Sequence, residues 1–76
     1  MSFEIFVASV PDREKVVVEI RYNNAQLAEL SNERESLDLE LYPNPYGGPW
    51  RVSFEDFVLA LAKAKERLLN EPPSTG

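Results

Sequence analysis

The stretch SFEDFVLALAKAKERLL, residues 53–69, constrains the chain most, because it can only be one amphipathic helix, and such a helix needs a surface to cover. Ser53 is a good N-cap, and Asp56 stands three residues later, as in a capping box. Glu55 and Asp56 suit the positive end of the helix dipole, while Lys63, Lys65 and Arg67 crowd the negative end. Val52 and Phe57 have the spacing of a hydrophobic staple. Phe54, Phe57, Val58, Leu61, Ala64, Lys65 and Leu68 trace the i, i+3, i+4 stripe, and Ala62 and Leu69 widen it. Pro72 and Pro73 forbid continuation.

Everything upstream supplies the surface. Leu37, Leu39 and Leu41 alternate with Asp38, Glu40 and Tyr42, the period-two pattern of a strand over residues 36–42. Pro43 ends it, since proline brings no ladder N–H. The loop from Pro43 to Trp50 combines three fixed φ angles with Gly47 and Gly48, so it is stiff on either side of a sharp bend. Its Gly-Gly pair lacks the spacing and the Lys-Ser/Thr of a phosphate loop.

Three more strands precede this one. Residues 3–10 (FEIFVASV) are apolar, β-branched and aromatic, with only Glu4 charged. A turn at Pro11–Glu14 leads to residues 15–22 (KVVVEIRY), and Asn23-Asn24 tolerates the left-handed geometry of a hairpin. Residues 26–31 form a weaker strand, whose composition also allows a helical turn; hairpin geometry on both sides favours the strand. A four-residue first loop pairs Val7 with Val18, Ile5 with Ile20 and Phe3 with Tyr22. A three-residue second loop pairs Ile20 with Ala28 and Val18 with Leu30, and a third loop closing Leu30 on Leu37 pairs Ala28 with Leu39. The expected fold is α+β: a four-stranded antiparallel meander with the C-terminal helix on one face, a ββββα two-layer sandwich. Residues 1–69 make one domain, and 70–76 are expected to form a disordered tail.

Composition narrows the chemistry. With 76 residues, no cysteine and no histidine, the chain has no disulfide framework, and any metal site would need carboxylates alone. No Asp-x-Asp-x-Asp-Gly loop supplies one, so neither a cofactor nor a metal is expected. The net charge of −5 opposes nucleic-acid binding. No signal-like segment or long apolar run appears, which points to a cytoplasmic protein away from membranes.

The helix covers one face of the sheet only. The other face then carries Glu4, Phe6, Ala8, Val10, Val17, Glu19, Arg21, Leu27, Glu29, Asp38, Glu40 and Tyr42. Five carboxylates facing one arginine, with apolar groups between them, suit a basic protein partner better than catalysis, because nothing encloses the acids. The expected partner-binding residues are Glu19, Glu29, Asp38 and Glu40, with Phe6, Leu27 and Tyr42 as apolar contacts. Tyr46 and Trp50 on the stiff loop are further candidates; Tyr46, beside Gly47-Gly48, is the one expected to be exposed, while for Trp50 the favoured reading is that it caps the core with its indole N–H bonded to a carbonyl. The alternative is a small structural or regulatory subunit that self-associates or docks through the exposed sheet face. A homodimer is possible, but joining acidic face to acidic face would oppose like charges.

At ELYPNPYGGPW and SFEDFVLALAKAKERLL the chain resembles short bacterial conserved proteins of unassigned function, over residues 15–69. In size and acidity it also resembles the small immunity proteins that neutralise bacterial nuclease toxins. That second resemblance implies an acidic, non-catalytic domain covering a basic toxin, and it assigns no individual contacts.

Overall fold

The computed structural model describes residues 3–9, 15–32 and 36–70. Strands β1 (Phe3–Ala8), β2 (Val17–Tyr22), β3 (Ala25–Ser31) and β4 (Asp38–Leu41) form one antiparallel sheet in chain order, followed by α1 (Phe54–Asn70). This is the expected α+β meander, and residues 25–31 are a strand. Val10, the turn at Pro11–Glu14, part of the third loop and the tail beyond Asn70 lie outside the described residues. The helix runs one residue past the expected end.

The β1–β2 register is the expected one, with Phe3, Ile5 and Val7 opposite Tyr22, Ile20 and Val18. The second hairpin reaches its register by another route. Asn23 and Asn24 have φ of 54° and 62°, a left-handed pair that makes a two-residue turn and sets Tyr22 opposite Ala25. Left alone, so short a turn would put Val18 opposite Glu29. A bulge between Ile20 and Arg21 on one side, and Gln26 and Ala28 on the other, absorbs Leu27 and restores Ile20↔Ala28 and Val18↔Leu30. In the third hairpin the expected pairing is off by two residues: Leu30 faces Leu39 and Ala28 faces Leu41. A slip of two preserves the faces, so the leucines stay on the helix side.

The core lies between sheet and helix. Val18, Ile20, Leu27, Ala28 and Leu30 meet Ala60, Ala64 and Leu68, with Phe3, Ile5, Val7, Phe57, Leu61 and Trp50 partly buried around them. The helix begins as its sequence dictates. Ser53 Oγ accepts from Asp56 N–H at 3.3 Å, and Ser53 O accepts from Phe57 N–H at 2.9 Å. The buried line through Ala60, Ala64 and Leu68 is rotated from the expected stripe. Phe54 and Val58 are exposed, and Ala60, outside that stripe, is buried. Leu37, Leu39 and Leu41 also depart from expectation: all three are exposed, because α1 packs on β1, β2 and β3 and does not reach β4.

Candidate functional site

The face of the sheet turned away from α1 places its charges in rows. Alternation sends Phe6, Glu19, Glu29 and Glu40 to this face, and the registers align them side by side: Phe6↔Glu19, Glu19↔Glu29, Glu29↔Glu40. Neighbouring strands are about 4.8 Å apart, so three carboxylates stand in one short line across β2, β3 and β4. Glu4, Arg21 and Gln26 form the row on one side of this line, and Asp38, across from Ser31, lies on the other side.

Two groups hold this line against its own repulsion. Arg21 approaches Glu19 at 3.8 Å while donating to Asn24 O at 3.1 Å. The Tyr42 hydroxyl lies 3.4 Å from both Glu29 Oε1 and Glu40 Oε1, where it donates to the pair. Burial, and then the charges of Glu29 and Glu40, push the Tyr42 pKa above its ordinary value, so the phenol stays neutral. A neutral phenol lets two like charges share one donor.

The other candidates divide. Glu40, Asp38 and Phe6 are exposed, Phe6 at 47%, while Glu19 and Glu29 are half-buried. Leu27 is a correction: it is 3% exposed and belongs to the core, because the bulge takes it out of the alternation that would have pointed it outward. Val17 is fully buried too, so among the described residues of this face Phe6 is the exposed large apolar side chain. Trp50 is half-buried against the core, and its indole N–H donates to Tyr42 O at 2.8 Å. Trp50 therefore caps the core, as its favoured reading expects.

Tyr46 is 67% exposed, yet its hydroxyl donates to Asn23 O at 2.9 Å, tying the loop to the β2–β3 turn. Asn44 organises the bend by accepting from Tyr46 N–H at 3.0 Å and donating to Pro49 O at 3.3 Å. Gly47 and Gly48, with φ of 88° and 75°, take the left-handed positions that follow.

Among the described residues no group of three or more acidic side chains is placed to hold a metal ion, and no helix is long and apolar enough to cross a membrane. Comparison with protein-family models, curated proteins and solved structures finds no match to this chain.

Proposed function

We propose that the chain is a non-catalytic protein-binding module that receives a basic protein on the acidic face of its sheet. The observation that carries this reading is the line Glu19–Glu29–Glu40 beside exposed Phe6. Aligned acids on an open sheet face steer a cationic partner and speed its encounter, and an exposed aromatic beside them gives the bound state an anchor. The same openness to water deprives the acids of the enclosed setting that acid–base catalysis uses.

The resemblance in size and acidity to immunity proteins supports a finer version, an immunity- or antitoxin-type inhibitor of a basic nuclease, working in the bacterial cytoplasm. The test is binding kinetics of the full chain against basic nuclease domains at low and high salt. Association should slow steeply with salt, and Glu29→Lys with Glu40→Lys should slow it at low salt by about tenfold or more. Equal association rates for parent and doubly reversed chain at every salt concentration would overturn the reading.

A further inference from the structure

A four-stranded sheet is wider than one helix. Strands about 4.8 Å apart make a layer roughly 19 Å across, and a helix with its side chains covers roughly 10 Å of it. No Cα of α1 comes within 8 Å of a Cα of β4, so among the described residues α1 covers the sheet as far as β3 and leaves the helix side of β4 bare, with Leu39 and Leu41 exposed.

The hand of the sheet fixes which flank of α1 borders the space over β4. Tyr22, on the helix side, closes a two-residue turn with Ala25, and such a pair exchanges both ladder hydrogen bonds. For L-residues this puts β4 at the far left when the sheet is viewed from the helix with β1 running up. α1 starts beside Phe3, where the Phe57 ring lies at 5.7 Å, and runs up as well. Right-handed winding then turns Phe54, Val58, Ala62, Lys65 and Leu69 left, toward the open space. Of nine exposed large hydrophobics among the described residues, seven lie on β4's helix side or on uncovered faces of α1: Leu37, Leu39, Leu41, Phe54, Val58, Leu59 and Leu69. The apolar surface is concentrated where the second helix is missing.

We propose that the α1 of a second copy fills this space. A two-fold axis parallel to the helices would lay both helices side by side in one layer between two outer sheets. The back of each α1, with Leu59, would then rest on the partner's Leu39 and Leu41. One rotation covers both bare surfaces on both copies and closes the assembly. The seven side chains expose on the order of 600 Å² per copy, hence about 1,200 Å² for the pair, the lower bound of specific interfaces. Charge opposes the other faces. On this one, Lys65 is the one charged group on the flank; it stands opposite its own copy across the axis, and its long apolar stem carries the ammonium past the interface to water. Asp38 and Glu40 alternate away, and the acidic faces end on opposite outsides of the dimer. Pairing β4 edge to β4 edge would instead oppose Asp38 and Glu40 to their like-charged copies.

Sedimentation equilibrium of the full chain tests the proposal. The parent should weigh twice 8.7 kDa, and Leu41→Glu and Leu59→Glu should each return it to 8.7 kDa while keeping a cooperative melt. Glu4→Gln, on the opposite face, should leave the dimer intact. The chain contains no cysteine, so Ala62→Cys provides a single thiol near the axis that should cross-link on oxidation without unfolding the protein. A parent that stays monomeric up to near-millimolar concentration would overturn the proposal. So would a dimer that survives both glutamate substitutions and fails to cross-link through position 62, or a monomer that takes an unrelated amphipathic helix into the space.

Discussion

Leu39 on β4 stands directly across from Leu30 on β3, on the same face of the sheet, yet Leu30 is 6% exposed and Leu39 43%. The two residues have the same chemistry and the same facing, and they differ by one strand's width. That step is where α1 stops covering the sheet, so burial here is decided by the helix and not by the strand pattern.

A pair of substitutions measures the step. Leu30→Ala removes side-chain atoms from a packed core and should cost about 2–5 kcal/mol. Leu39→Ala, measured at concentrations too low for association, should cost under about 1 kcal/mol, as exposed positions do. Denaturant melts of both variants check this, and equal losses would place the helix over β4 as well.

The left-handed turn gives a second test. Asn23 and Asn24 both hold positive φ, which asparagine tolerates and β-branched residues resist. Asn24→Gly should keep or slightly raise stability, whereas Asn24→Val should lower it by about 1–2 kcal/mol. If valine is as stable as asparagine in thermal melts, the turn is not built on left-handed residues.

How much of this was legible in the sequence follows from which signals were local. Alternation in residues 3–8 and 17–22, the Ser53 cap and the helical period are local, and the strands, their order and the helix start follow from them. Even the faces of Leu39 and Leu41 survive a two-residue slip, because two is the strand's own period. The bulge at Leu27 was not legible. A three-residue loop, and a two-residue turn plus a bulge, give the same pairing of Ile20 with Ala28, and only φ at Asn23 and Asn24 distinguishes them. For the acidic face, Glu19, Glu29 and Glu40 were legible as outward residues, but their alignment in one row needed the corrected third register. The bare side of β4 left one unused signal, Leu59, an apolar residue on the back of a helix whose core face was already assigned.

The cap is the simplest local claim to test. Ser53→Ala removes the acceptor for Asp56 N–H and should lower stability by about 0.5–2 kcal/mol, while Ser53→Asp should retain most of it. Coincident melts of alanine variant and parent would show that the helix begins elsewhere.

The last prediction concerns Tyr42, which links the two carboxylates of the proposed binding face. Its pKa is raised in the folded chain by burial and by the charges of Glu29 and Glu40, so folding favours the neutral phenol. The sign follows from linkage: the unfolded chain loses this proton first, near pH 10, and the folded chain at higher pH. Stability from this group is therefore complete below about pH 10 and is lost as pH rises toward the folded value. Tyr42→Phe keeps the ring and has no proton to lose, so its denaturant midpoint should fall less than the parent's between pH 9 and 11 (roughly the range about the ordinary tyrosine pKa). At neutral pH the same variant should be slightly less stable, because Glu29 and Glu40 lose their shared donor. Binding offers an independent readout. With the hydroxyl gone, both carboxylates are freer to meet a cationic partner, so association should be as fast as the parent's and equally sensitive to salt. If the parent and Tyr42→Phe curves run parallel through this alkaline range, the phenol does not bridge the two acids.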